Sequence, residues 1–349
     1  MLVMTVLGPA FAACGATGAA NGAGTSRSDE GGATGELDAT AATDGGADVH
    51  AGGEDRERIR ALDRGVYTFC DVRADDRVEC RRLPFGNYDG GGYPAPFLTR
   101  VEALGMGFYA HAALHQDGTI SRWTETDVGI GEARLVDGVA AAVAVSSSCY
   151  LTAARAVRCF DPANEPAGGL TDVVAIAAGQ SFSCAITGSR EVRCWGAGYR
   201  GQLGNGDTAD STTPVMVAGL SDVESISSWN AFSCAVLRDR RAACWGDNAH
   251  GSLGDGSTVA FSSTPVGVRG LDNVRAISTG YHHACALLMN GRVKCWGEND
   301  NGQLGNGGSV DSPTPVDVVD VEDAMLVSAG LARSCVVTST GATKCWPAR

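Results

Sequence analysis

Twelve of the thirteen cysteines fall into six pairs with a common separation of ten positions: Cys70/Cys80, Cys149/Cys159, Cys184/Cys194, Cys234/Cys244, Cys285/Cys295 and Cys335/Cys345. Thiols in such pairs can oxidise to disulfides or bind a soft metal. Zinc favours close Cys-x-x-Cys spacing, which these pairs lack. The chain supplies its own control. Related stretches recur around every pair: AIAAGQSFSCAITGSREVRCWG from Ala175, SISSWNAFSCAVLRDRRAACWG from Ser225, AISTGYHHACALLMNGRVKCWG from Ala276 and LVSAGLARSCVVTSTGATKCWP from Leu326, with diverged copies around Cys70 and Cys149. A seventh copy, LGMGFYAHAALHQDGTISRW from Leu104, has Ala112 and Arg122 at the two cysteine positions. The cysteines are kept or lost together, as expected if each pair is bonded to itself. Thirteen cysteines also suit an oxidising compartment better than the cytosol.

Other reactive groups are sparse. The histidines are His50, His111, His115, His250, His282 and His283. A hydrolase needs a nucleophile, a base and an orienting acid together, and no such grouping stands out, so no catalytic, cofactor or metal site is assigned. His283 replaces the Phe182 and Phe232 of sister copies and is expected to pack within a strand. His282 and His283 are adjacent, so on a strand they point to opposite faces.

The elements that carry the cysteines follow from spacing. With Cys285 opposite Cys295, Ala286 faces Lys294, Leu287 faces Val293 and Leu288 faces Arg292. This leaves the loop Met289-Asn290-Gly291. A three-residue hairpin loop ends on a left-handed residue, for which glycine is best suited, and Gly118 and Gly341 stand at the same place in their copies. Opposed residues of a non-hydrogen-bonded pair have Cα atoms about 4.5 Å apart, within reach of a disulfide. Each bridge is worth about 2–3 kcal/mol in the chain-entropy account. A full copy offers four strands, which in one case are Val173–Ala178, Phe182–Thr187, Val192–Trp195 and Pro214–Gly219. Between the third and fourth lies a glycine-rich loop: Gly201-Gln202-Leu203-Gly204-Asn205-Gly206, with counterparts from Gly251 and Gly302. Repeats of this length with four strands predict β-propeller blades.

The pattern Cys-Ala-Leu, Asn-Gly, Val, Cys-Trp-Gly, then Gly-Gln-Leu-Gly-Asn-Gly resembles the regulator of chromosome condensation repeat over about residues 58–349. The resemblance implies an all-β, seven-bladed propeller, with the propeller-type β-lactamase inhibitors as structural relatives. The early connections depart from the pattern: Cys159 to Val173 spans 14 residues, against 29 from Cys194 to Val223. The first three blades are expected to lack a full fourth strand or long loop. Because the chain stops after the third strand of its last repeat, ring closure is expected to borrow the segment preceding Cys70.

Residues 1–14 form an apolar run ending in small residues and Cys14. That is too short to span a bilayer as a helix and is similar to the end of a secretory signal peptide. Phe11-Ala12-Ala13-Cys14 resembles a bacterial lipoprotein box, making Cys14 the expected lipidation site; a plain cleaved signal or a free thiol is the alternative. With Gly15 after the cysteine, the destination expected is the outer membrane or cell surface. Residues 15–57, rich in Gly, Ala, Thr and Asp, read as a disordered tether. They hold nine acids and two arginines, leaving −6 of the net −13 to the remainder. Neither part is basic, so nucleic-acid binding is not expected.

Five tryptophans, Trp123, Trp195, Trp245, Trp296 and Trp346, share one repeat position, which points to packing between blades. The tip after each first strand behaves differently, varying while its frame stays constant. It carries Tyr67, then Phe108 and Tyr109, Trp229 and Asn230, and Tyr281 and His282. Loops on a rigid frame are where binding is usually placed, and Tyr and Trp dominate interface energetics. These residues are the expected partner contacts of a monomeric, non-catalytic, secreted or surface-anchored protein-binding propeller whose protein partner the sequence does not name. Local packing against neighbouring blades is the other reading of the tips. An inhibitor of an extracellular enzyme such as a β-lactamase-type hydrolase is the second functional expectation, and guanine-nucleotide exchange the third.

Overall fold

The computed structural model describes residues 59–64, 68–73, 78–82, 92–94, 98–107, 110–126 and 129–347. Cys14, Tyr67, Phe108 and Tyr109 lie outside the described residues, as do the expected signal segment and tether.

The described strands pair into antiparallel sheets numbered here in chain order. Sheet I comprises Ile59–Arg64, Thr68–Arg73, Val78–Arg82 and Gly92–Pro94. Sheet II comprises Val101–Met106, Ala110–His115 and Ile120–Thr126, with Gly129–Ile130 and Arg134–Leu135 both pairing on its third strand. Sheet III has Ala142–Val145, Cys149–Thr152 and Val157–Cys159. Sheet IV has Val173–Ala178, Phe182–Thr187, Val192–Gly196 and Ser211–Met216. Sheet V has Val223–Trp229, Phe232–Leu237, Ala242–Asp247 and Phe261–Gly267. Sheet VI has Val274–Thr279, His283–Leu288, Val293–Gly297 and Ser312–Asp317. Sheet VII has Ala324–Ala329, Ser334–Thr338 and Thr343–Trp346. The first strand of each sheet packs against the first strand of the next, and that of sheet VII against that of sheet I. The fold is an all-β propeller.

The hairpin register agrees with the repeat spacing. Cys285 stands opposite Cys295, Ala286 opposite Lys294 and Leu287 opposite Val293. Leu288 N–H donates to the Arg292 carbonyl at 2.9 Å, and Gly291 takes φ +81°. The six pairs Cys70–Cys80, Cys149–Cys159, Cys184–Cys194, Cys234–Cys244, Cys285–Cys295 and Cys335–Cys345 are all intra-sheet disulfides, with Cα atoms 3.9–4.1 Å apart. Arg155, Arg190 and Arg240 hold the same left-handed position in copies without glycine (φ 60–67°), so the hairpin prefers glycine there without requiring it.

Three expectations change. Among the described residues, the segment before Cys70 does not pair with the last sheet. Ile59–Arg64 is the first strand of sheet I, pairing with Thr68–Arg73 through Asp63 opposite Cys70. That register gives its own hairpin the inner strand it lacks.

The expectation that all three early blades want a fourth strand is corrected at Cys80. Gly92–Pro94 pairs on the outer edge of its strand, with Tyr93 opposite Cys80, Pro94 opposite Glu79 and Gly92 opposite Arg81. Cys80 is therefore closed in on both sides, by its disulfide partner and by a short outer strand, and is 1% exposed. The physical reason is chain length: Cys80 to Val101 spans 21 residues, enough to turn back and pair, whereas the 14 from Cys159 to Val173 are not. Sheet III accordingly has three strands among the described residues.

The fourth strand of sheet IV runs Ser211–Met216, three residues earlier than expected. Val217 N–H still reaches the Val192 carbonyl, but Ala218 N–H turns away to Gly204.

Sheets are joined across their inner strands by buried side chains that accept a backbone N–H from the next sheet. Asp63 Oδ2 accepts from Met106 at 2.9 Å, Ser227 Oγ from Thr279 at 3.1 Å and Ser278 Oγ from Ala329 at 2.9 Å. Every first strand also carries a register shift one residue from its start, as between Val173 and Ala175 or Val274 and Ala276, which increases local twist.

The apolar core lies between sheets. The Cys184–Cys194 bridge, Leu203, Val217 and Leu220 pack with Ile226, Ala235 and Trp245 of sheet V. The Cys70–Cys80 bridge does the same between sheets I and II, against Leu104, Met106 and Trp123. The shared tryptophan is the inter-sheet key. Trp195, Trp245, Trp296 and Trp346 donate their indole N–H to carbonyls of the preceding repeat: Asn164, Gln202, Ser252 and Gln303, at 2.7–3.1 Å. The glycine-rich loops are shaped by this packing: a Cβ on Gly204 would lie 2.8 Å from the Trp245 ring.

Candidate functional site

The first strands of sheets IV to VII end in tips that are chained together. Gln180 N–H donates to the Asn230 carbonyl at 2.9 Å, Asn230 Nδ2 to the Tyr281 carbonyl at 3.1 Å and Tyr281 N–H to the Gly330 carbonyl at 3.0 Å. Asn230 reaches the next sheet with its side chain because its backbone is left-handed, with φ +44°. Four tips therefore form one hydrogen-bonded surface.

The expected contact residues divide. Tyr281 and His282 are partly exposed, as is Asn230. Trp229 is only 2% exposed and stands edge-on to Tyr281, with ring centroids 6.1 Å apart. It occupies the place of Gly179, Gly280 and Gly330 in sister copies. From there its indole fills the space under the next tip, so Trp229 is corrected from a contact residue to the packing support of Tyr281.

The tertiary structure gathers further groups around His282. Its ring lies 4.3 Å from Tyr281 and 5.3 Å from His250. His282 Nδ1 is 3.6 Å from Asp247 Oδ2, and Arg200 Nε is 3.6 Å from Asp247 Oδ1. His250 Nδ1 meets Asp311 Oδ2 at 2.6 Å, while Asp311 Oδ1 accepts the Asn299 N–H at 2.8 Å. Burial pushes His282 below its ordinary pKa; Asp247 opposes this and His250 reinforces it. Burial also draws His250 down, but the hydrogen bond and charge of Asp311, with Glu298 and Asp300, outweigh it, and the pKa is raised. Burial raises Glu298, with His250 pulling the other way. The two imidazoles are therefore poised on opposite sides of their ordinary value.

Sequence reasoning missed His250, Asp247, Asp311 and Arg200. A signal was present: Arg200, His250 and Asn301 share one variable position just before the constant loop glycine. That is the criterion that singled out the tips.

His283 and His115 are structural. His283 is fully buried with Nε2 2.8 Å from Ser334 Oγ, in the place of Phe182 and Phe232. His115 has Nε2 2.7 Å from Ser121 Oγ and Nδ1 2.8 Å from the Thr99 carbonyl. Both side chains are buried. Among the described residues no group of three or more His, Cys, Asp or Glu is placed to hold a metal ion. At the opposite, hairpin end of sheet V, Leu220, Leu237, Arg238, Asp239 and Arg241 line an open hollow of about 640 Å³.

Residues 191–236, 244–287 and 290–337 match the family model of the regulator of chromosome condensation (RCC1) repeat, and residues 173–202 and 274–303 match a second model of the same description. The ultraviolet-B receptor UVR8 of Arabidopsis thaliana is 32% identical over 122 residues, which are 34% of this chain and only 28% of that receptor. Among solved structures, human WBSCR16 superposes with a TM-score of 0.67 at 18% identity, over 81% of this chain and 87% of its own. Prp20p of Saccharomyces cerevisiae gives 0.66 at 16%, over 78% and 80%. The receptor kinase CR4 ectodomain of Physcomitrella patens gives 0.53 at 21%, over 83% and 74%. Motif, register and superposition agree: this chain carries RCC1 repeats over residues 173–236 and 244–337, on a β-propeller.

Proposed function

We propose that this chain is a non-catalytic, protein-binding RCC1-repeat propeller whose contact surface is the tip end around Tyr281 and His282. The observation that carries the reading is the hydrogen-bonded chain Gln180–Asn230–Tyr281–Gly330. It holds an aromatic and a titratable side chain partly exposed on a surface with little freedom to lose on binding. Tyrosine over a packed tryptophan is a common anchor composition at interfaces. Prp20p, which shares the fold, has binding properties described toward Gsp1p and histones.

The ring is read as seven-bladed, supported by the cyclic packing of first strands from sheet I through sheet VII. The chain is read as exported, monomeric and tethered by a lipid on Cys14. Six disulfides within sheets support an oxidising compartment, and the apolar run ending at Cys14 supports the anchor.

The test is capture from outer-membrane extracts by the full chain, compared with Tyr281→Ala and His282→Ala. Loss of one specific partner in both variants, with unchanged thermal unfolding, supports this surface. Undiminished capture by both variants removes it.

A further inference from the structure

We infer that His282 is a proton-operated switch. When its imidazole takes up a proton, the ring leaves its place against Tyr281 and His250, and the Tyr281 ring loses the neighbour that fixes it. The switch is a property of this chain alone; its consequence for partner contact rests on the reading of the Tyr281 surface above.

The sister copies show that a tip needs no imidazole to fold. Ser181, Ala231 and Ala332 stand in the place of His282, and Arg200 and Asn301 in that of His250. Only at sheets V and VI do these two variable positions bring imidazoles together, with ring centroids 5.3 Å apart.

The backbone beneath them is fixed. The His282 carbonyl accepts the Glu298 N–H at 2.9 Å and Ser252 Oγ at 2.9 Å. Gly297 lies against that carbonyl too closely to admit a Cβ. Tyr281 is tied through its own N–H to Gly330 and through its carbonyl to Asn230. A change of charge at this tip therefore moves side chains and leaves strand pairing in place.

Charged groups face the pair from every neighbouring element. Sheet V contributes Asp247 and His250 itself, the sheet IV loop Arg200, and the sheet VI loop Glu298, Asp300 and Asp311. On the sheet VII tip, the Arg333 guanidinium donates to the Pro347 carbonyl at 3.2 Å. His282 Nδ1 is buried and, among the described residues, makes no hydrogen bond. Asp247 Oδ2, at 3.6 Å, is beyond bonding distance. It already accepts the Ala249 N–H at 3.2 Å, while Oδ1 of the same carboxylate faces Arg200.

A proton on His282 thus creates a largely buried cation with no ready acceptor, a costly state. His250 is raised and His282 lowered, so His250 already carries its charge at the pH where His282 gains one. The two like charges repel across the ring contact. Glu298, raised by burial, gives up its compensating charge as pH falls further. The His282 side chain is 20% exposed, so rotation about its side-chain bonds takes the ring into water. Tyr281 then loses a ring packed at 4.3 Å and leans on Trp229 at 6.1 Å. Protonation of a histidine beside a bistable side chain is an established form of pH sensing.

The experiment uses the full, oxidised chain with histidine and tyrosine side chains isotopically labelled. The nuclear Overhauser contact between the Tyr281 and His282 rings is followed from about pH 8 to about pH 5. It should fall roughly tenfold or more, tracking the titration of His282 rather than that of His250. The Tyr281 amide should stay protected from exchange throughout. His282→Gln should abolish the pH dependence of the Tyr281 ring resonances, and His250→Asn should preserve the ring contact in acid. Four outcomes overturn the switch. They are a contact that persists once His282 is charged, a His282 still neutral at the acid limit, the same Tyr281 shifts in His282→Gln, or loss of the contact together with Tyr281 amide protection. The last is acid unfolding. Partner capture by the native chain at the two pH limits separates the second reading: loss in acid is expected, and capture that survives a lost ring contact would overturn Tyr281 as the anchor rather than the switch.

Discussion

The indole N–H of Trp245 donates to the backbone carbonyl of Gln202, 3.1 Å away in the preceding repeat. The same bond recurs from Trp296 to Ser252 and from Trp346 to Gln303. It explains why tryptophan follows the second cysteine and why a glycine-rich loop follows in turn. The loop must bring a carbonyl to the indole while its own glycine, Gly204 or Gly254, leaves room for the ring.

Removing that key should cost stability without changing hairpin pairing. Trp245→Ala opens a cavity between sheets IV and V, and a loss of about 3–5 kcal/mol is expected from large-to-small core changes. Gly254→Ala adds a Cβ 2.7 Å from the Trp296 ring at φ +71°, so about 2 kcal/mol or more should be lost through left-handed strain and crowding together. Denaturant unfolding of the two variants checks both values.

The disulfides should be strictly local. Peptide mapping without reduction is expected to return the six pairs separated by ten residues and no bridge between sheets. Cys285→Ser with Cys295→Ser should lower stability by about 2–3 kcal/mol. Twelve free thiols in the native protein, or bridges linking different sheets, would refute the pairing.

Trp229 and Tyr281 should separate stability from binding. Trp229 is buried, so Trp229→Ala should destabilise by about 3–5 kcal/mol. Tyr281→Ala removes a partly exposed ring and should leave unfolding nearly unchanged while partner capture is lost. A reversal of these two phenotypes would place the contact surface elsewhere.

The two imidazoles should titrate in opposite directions. His250 is raised above its ordinary 6.5, so its contribution to stability is fully present below that value and is lost as pH rises through the folded pKa. His282 is lowered below 6.5. Its contribution is fully present above 6.5 and is lost as pH falls through the folded pKa. Titration of the imidazole resonances should show both shifts, and His250→Asn should move His282 upward by removing a neighbouring like charge.

Much of this architecture was visible in the residues because its determinants are local. A hairpin closes within ten positions, so Cys285, Cys295 and Gly291 specify their own pairing, and the copy with Ala112 and Arg122 shows that the pair acts as a unit. The strands Val173–Ala178 and Phe182–Thr187 agree with the repeat pattern to the residue. Outer strands were less legible. The fourth strand of sheet IV was displaced because its start depends on a loop whose course is set by the next sheet. Gly92–Pro94, which pairs beside Cys80, carries no Thr-Pro-Val pattern to announce it.

The sequence by itself determined the β-propeller class, the hairpin register and the six bridges, since these rest on short-range periodicity and on repeats that check one another. Only the tertiary structure decided what meets across sheets. It turned Trp229 inward beneath Tyr281, brought His250 and Asp311 within 2.6 Å across 61 positions, and paired Ile59–Arg64 within sheet I. Such contacts depend on how neighbouring sheets are rotated and spaced around the ring, a geometry that no single repeat encodes.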